Sequence, residues 1–120
     1  MARSRLTSDM WVSALCRRVS TEGAFAYVAK RGAHEAGSIY LIASGVGNGA
    51  ALYGPAPQAH YDDEATGERL FEMLLDGATD ADIQKRLESE SRFDPDIWVV
   101  EIEDRDKRLF WDVVPSDQGD

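Results

Sequence analysis

Ile97-Trp98-Val99-Val100-Glu101-Ile102-Glu103 carries more structural information than any other run in this 120-residue chain. Residues 97–100 are apolar on both faces before Glu101 and Glu103 emerge, the pattern of a strand that begins buried and ends in water. Just upstream, Asp94-Pro95-Asp96 closes a helix, because proline lacks a backbone donor and turns its predecessor away from helical geometry. That helix starts at Thr79, whose hydroxyl can accept an orphan backbone N–H, and Asp80 and Asp82 lie in its positive first turn. Ile83 and Leu87 give it a narrow apolar stripe, so it packs on one side only and stops by Arg92 or Phe93. Downstream, residues 104–107 turn the chain, and residues 109–114 are expected to return as the hairpin partner.

Working back towards the N-terminus, residues 68–75 fit two patterns. Leu70, Phe71, Leu74 and Leu75 make a helix face, while Phe71, Met73 and Leu75 make a strand face. A strand is taken, since Gly67 and Gly77 leave room for only about two helical turns. Residues 62–67 read as a surface loop. Ile39-Tyr40-Leu41-Ile42 is a run of strand formers. Asn48-Gly49 follows as a tight-turn signal, both residues tolerating positive φ, and residues 50–53 resume an extended pattern. Gly54-Pro55-Ala56-Pro57 ends that strand. At the front, residues 11–19 alternate, with Val12, Ala14 and Cys16 on one face, and are read as a strand. Residues 20–30 are read as a helix capped by Ser20, with Phe25, Val28 and Ala29 as its apolar face and Gly32 as its C-cap. The expected fold is α/β (α+β): one domain with its core at about 9–114, a mixed sheet of about six strands and two helices, in the order β-α-β-β-β-α-β-β.

Composition narrows the function. Apolar residues make up 43% and charged residues 29%, enough for one core. The net charge of −9 argues against general affinity for nucleic acid or anionic membrane. A single cysteine excludes an intramolecular disulfide framework and a multi-cysteine zinc site. Arg3 and Arg5 precede a small apolar stretch, but residues 11–16 fall short of the roughly 7–15 apolar residues of a secretory signal, and Arg17-Arg18 close it. Leu15 and Ser13 fit no lipoprotein anchor on Cys16, and no run approaches the roughly 18 apolar residues of a membrane span. A reducing cytoplasm is the expected compartment. Residues 1–40 carry +3 and residues 41–120 carry −12. Attraction between the two parts within the fold accounts for this; a two-signed surface that orients a protein partner is the sharper alternative.

Three stretches together resemble a known family: Trp11-Val12-Ser13-Ala14-Leu15 with Arg17-Arg18, Leu52-Tyr53-Gly54-Pro55-Ala56-Pro57-Gln58, and the run from Arg92 to Arg105 around the central strand. They are similar to the domain of unknown function family numbered 1491, found mainly in alphaproteobacteria. The similarity runs from about Asp9 to Phe110. It implies a free-standing cytoplasmic α/β domain of bacteria and carries over no functional residue.

Candidate chemistry is sparse. Glu101 and Glu103 share a strand face, Asp94 and Asp96 precede it, and Asp112 sits on the expected hairpin partner. Such acids could hold Mg²⁺ or Mn²⁺ and serve a metal-dependent hydrolase or nuclease. Asp96 followed by Glu101-Ile102-Glu103 is similar to a metal-nuclease pattern, but Glu103 stands where that pattern needs lysine. The preferred account is structural: Asp94 and Asp96 bond a turn, and Glu101 and Glu103 form the wet face of a strand. Gly45-Val46-Gly47-Asn48-Gly49 resembles a phosphate loop, yet Tyr53-Gly54-Pro55 prevents the helix such a loop requires. His34 and His60 stand apart in loops. Cys16 is expected to be a buried, inert thiol in mid-strand, and Trp11, Trp98, Trp111, Phe25 and Phe110 are expected to fill the core.

The reading preferred from sequence is a small binding or adaptor domain that needs no cofactor. Its recognition surface would combine the rigid loop of Tyr53, Pro55, Pro57 and Gln58 with Arg17, Arg18 and Arg31. Its partner would be a protein or a small molecule, with homodimerisation through an exposed sheet edge left open.

Overall fold

The computed structural model describes residues 6–45, 47, 49–57 and 69–115. Helix α1 spans Ser8–Thr21 and is followed by strands β1 (Phe25–Lys30), β2 (Ile39–Ser44), β3 (Ala50–Pro55) and β4 (Leu70–Ala78). Helix α2 spans Asp80–Phe93, and strands β5 (Trp98–Glu103) and β6 (Asp112–Val113) complete the elements among the described residues. The strands form one mixed sheet in the order β1-β5-β2-β3-β4-β6. β5 lies at its heart, antiparallel to β1 and parallel to β2, while β2, β3 and β4 form an antiparallel meander. The α+β class, six strands and two helices agree with the sequence reading.

The order of the first two elements does not. The chain opens with a helix and continues with a strand, giving α-β-β-β-β-α-β-β. Thr7 caps α1 by accepting the Met10 N–H at 3.2 Å, and Val12, Leu15 and Val19 are buried on one face. Their spacing is helical, and it prevails over the alternation that residues 11–19 also show. Gly23, at φ +88°, ends the helix, where Ala24 N–H donates to Val19 O at 3.1 Å and Gly23 N–H to Ser20 O at 3.1 Å. The residues expected to be a helix are thus this termination followed by β1. In β1 the period is two, with Ala26 and Val28 packed on the core while Phe25 and Tyr27 face water.

A second correction concerns residues 109–114, which do not pair with β5. β1 and β2 already take both edges of β5, so the chain leaves it, crosses the α1 side of the sheet and forms β6 parallel to β4 at the far end. Phe110 and Trp111 are buried in that crossing.

Two apolar layers result. On one side of the sheet, Val12, Leu15 and Val19 of α1 pack with Ile39, Leu41, Trp98, Val100 and Ile102. On the other, Ile83 and Leu87 of α2 pack with Tyr40, Ile42, Leu52 and Val99, as the narrow stripe on α2 requires. Thr79 caps α2 through the Asp82 N–H at 3.1 Å, and the helix stops at Phe93. No helix among the described residues is long and apolar enough to cross a membrane.

Candidate functional site

Where the β2–β3 hairpin meets the crossing segment, a cavity of about 160 Å³ opens on the α1 side of the sheet. Tyr53, Asp76, Lys107, Arg108 and Ser44 supply its polar lining. Tyr53 sits on β3 opposite Leu41 of β2 and Met73 of β4, and only 4% of it is exposed. Its ring meets Trp111 edge-on, with centroids 5.3 Å apart and planes at 72°. The Tyr53 hydroxyl forms no hydrogen bond among the described residues, although its ring is buried in the core. Burial, and then the negative charge of Asp76, raise the Tyr53 pKa, so this hydroxyl keeps its proton and remains available as a donor. The neighbouring Trp111 Nε1, unlike the Tyr53 hydroxyl, is a fully buried donor without an acceptor among the described residues. Each unmet buried group of this kind carries a desolvation cost of about 1–3 kcal/mol.

The segment after β5 forms the wall of the cavity, and Asp104 organises it. The side chain is 5% exposed; Oδ2 accepts Arg108 N–H at 2.8 Å and Nε–H at 2.9 Å, and Oδ1 accepts Nη2–H at 3.1 Å. Arg108 beside it holds the Asp104 carboxyl down at about 2. Arg108 reaches on to α1, donating to Glu22 O at 3.0 Å, and lies 5.3 Å from the Phe110 ring. Arg18 donates to Phe110 O. Asp104 N–H donates to Ser44 O at 3.0 Å, so the buckle is fixed to β2 as well. Gly45 permits this approach, since a Cβ there would lie 2.5 Å from Asp104 O. Lys107 is held at φ +52°, a left-handed conformation that costs a non-glycine residue about 1–3 kcal/mol. Lys107, in its left-handed conformation, Asp76 and Tyr53, whose ring is buried, therefore border one small space.

The residues singled out from sequence are divided by this geometry. Tyr53 lines the cavity, whereas Pro55 lies further along β3 in a separate hollow of about 150 Å³ beside Arg69. Pro57 is exposed, and Gln58, His60 and the expected loop at 62–67 fall outside the described residues. Arg17 and Arg18 occupy the last two turns of α1. Arg31 lies by its first turn, 3.1 Å from Asp9 and 5.0 Å from the Trp98 ring. A helix of this length spans about 21 Å, so Arg31 and the pair Arg17 and Arg18 lie at opposite ends of α1.

The acids are dispersed too. Asp94 Oδ1 accepts the Asp96 N–H at 3.0 Å in a turn before β5. Glu101 lies next to Tyr27 and raises the pKa of its hydroxyl, Glu103 is exposed at the end of β5, and Asp112 lies on β6 across the sheet. Among the described residues, no group of three or more His, Cys, Asp or Glu side chains is arranged to hold a metal ion.

Residues 45–49 join β2 to β3 as a hairpin, with positive φ at Gly47 and Gly49, while Asn48 is outside the described residues. His34 Nδ1 lies 3.4 Å from Asp9. Cys16 is on a helix and not a strand; it is half-buried, and burial raises its pKa. Trp98, Phe110 and Trp111 are buried and Trp11 tilts against Phe71 at 5.3 Å, but Phe25 is exposed, contrary to expectation. Asp76, Lys107, Arg108 and Trp111 escaped the sequence reading of the site. Asp76 comes from β4 beside β3, while Lys107, Arg108 and Trp111 meet Tyr53 only because the chain crosses the sheet, and the one local signal was the Asp104–Arg108 spacing.

A family model described as "Protein of unknown function (DUF1491)" matches residues 6–112. The solution structure of protein Atu0922 from A. tumefaciens is 44% identical, with a TM-score of 0.81 over 96% of this chain and 99% of that one. A crystal structure of a DUF1491 family protein from Caulobacter crescentus CB15 is 36% identical, with a TM-score of 0.75 over 92% and 98% of the two chains. An NMR structure of a DUF1491 family protein from the same organism is 38% identical, with a TM-score of 0.76 over 94% and 100%. No curated protein matches the chain.

Proposed function

The chain belongs to the DUF1491 family, and from its geometry we propose a binding domain whose ligand is a small polar molecule held at Tyr53. The observation that carries this reading is a tyrosine 4% exposed whose hydroxyl lines a cavity and has no partner among the described residues. The hydroxyl is not sealed off as Trp111 Nε1 is, so it is free to donate to an acceptor on a ligand in the cavity. Asp76 and Lys107 on the same lining offer an anion and a cation. A compact zwitterion, with its ammonium at Asp76, its carboxylate at Lys107 and one carboxylate oxygen accepting from Tyr53, meets all three. The volume of about 160 Å³ favours a molecule of amino-acid size over a nucleotide.

Thermal shift with glycine, L-alanine and L-serine, against acetate and ethylammonium, tests this reading. A zwitterion at a hundred times its Kd should stabilise the fold by about 2.7 kcal/mol, and the single-charge compounds by less. Tyr53→Phe removes only the hydroxyl and should weaken binding about tenfold, in line with one lost buried hydrogen bond. If none of the five compounds raises the melting temperature, or Tyr53→Phe binds as well as the parent, the reading fails.

A further inference from the structure

Strand β1 ends the sheet. β5 pairs with one of its edges, and no described strand pairs with the other. Ala26 and Val28 are anchored in the α1-side core, so the edge has a fixed register and is not a loose ribbon. On the opposite face, Phe25 is 71% and Tyr27 57% exposed. Their cross-strand neighbours on β5 are Glu103 and Glu101, respectively. Beyond Tyr27 the face runs into a groove of about 340 Å³ between β1 and α2, floored by Ala29, Leu87 and Val99, with Glu88 and the cations Lys30 and Arg92 on its walls, so the acidic part of the face is the stretch at Phe25 and Tyr27. An open edge carrying two exposed aromatics invites pairing, and proteins usually blunt such edges. Here a register shift between Val28 and Lys30 blunts only the far end.

Charge identifies the occupant. A second copy of this chain would bring another net charge of −9 to the same edge, and two such acidic bodies repel. A strand with Lys or Arg at alternate positions would instead set its cations over Phe25 and Tyr27, reaching across them towards Glu101 and Glu103 on the far side of β1. Its backbone would meet the open N–H and C=O groups of β1. Lys30 does not compete for this face, because its ammonium is held by Pro95 O at 2.9 Å and Ile97 O at 3.0 Å. We propose that the β1 edge receives an extended basic segment of another protein by strand addition. This surface is separate from the Tyr53 cavity, so either proposal can fail without the other.

The probe is a labelled ten-residue peptide of alternating lysine and valine, read by fluorescence anisotropy at low and at high salt. The glutamate–valine peptide is the control. The lysine peptide should bind and the glutamate peptide should not, with affinity falling as salt rises. Phe25→Ser with Tyr27→Ser, both exposed and hence compatible with folding, should weaken binding at least tenfold, as should Glu101→Gln with Glu103→Gln. Amide hydrogen exchange should slow along β1 when the peptide is added. The proposal is overturned if both peptides bind alike, if the double variants bind normally, or if protection appears away from β1. It is equally overturned if sedimentation shows a dimer of the chain that Phe25→Ser abolishes, for the occupant would then be a second copy.

Discussion

Asp104 accepts N–H groups from Arg108 and, more weakly at 3.4 Å, from Asp106, and its carboxyl is held at about 2 where the ordinary value is 3.8. A carboxylate favoured in this way contributes stability while it is charged in both states, that is, above about pH 4, and loses it as the pH falls towards 2. Asparagine cannot titrate. The melting temperature of Asp104→Asn should therefore lie below that of the parent at pH 6, and the gap should close between pH 4 and pH 2. A gap that stays constant over that range would show that the Arg108 buckle depends on shape and not on charge. From sequence, residues 104–107 were legible as a turn, because acids and glycine-free charged runs favour one. The partnership four residues apart was not, since a turn and a bidentate clamp share the same local composition.

At the scale of elements, α2, β2, β3 and β5 were legible for identifiable reasons. α2 has a threonine cap and a terminating Pro95, β2 and β5 are runs rich in β-branched and aromatic residues, and β3 follows the turn signal Asn48-Gly49 and ends at Gly54-Pro55. β4 followed from the short distance between Gly67 and Gly77. The exchange of α1 and β1 arose because Val12, Ala14 and Cys16 alternate while Val12, Leu15 and Val19 repeat at helical spacing, and a short run supports both patterns. Only the packing partner decides: Leu15 is buried and Ala14 exposed in α1. Two substitutions separate the two patterns by urea denaturation. Leu15→Ala should cost about 2–5 kcal/mol by opening a cavity in the α1-side core, whereas Ala14→Lys should stay within about 0.5 kcal/mol, as for an exposed helix position. A strand over residues 11–19 would reverse that ranking. The exposed aromatics of β1 belong to the same lesson, because the helical pattern had placed Phe25 in the core.

The whole molecule determines what the residues and elements leave open. The candidate cavity exists because the chain leaves β5, crosses the α1 side of the sheet and pairs with β4 at its far end, bringing Lys107 and Arg108 over Tyr53 and Asp76. Sequence singled out Tyr53 because of the Gly-Pro punctuation after it. It could not supply Asp76 or Lys107, which depend on a strand order that local patterns do not encode. The same crossing carries Asp112 to β6, away from Glu101 and Glu103 on β5, where a hairpin would have set it beside them. A two-dimensional NMR titration with L-alanine, following the Tyr53 ring and the amides of Asp76, Lys107 and Arg108, tests the proposed site most directly. Saturable shifts confined to these residues in the parent, and about tenfold weaker in Tyr53→Phe, are the predicted result. A spectrum unchanged at millimolar ligand, or shifts centred elsewhere on the sheet, would contradict it.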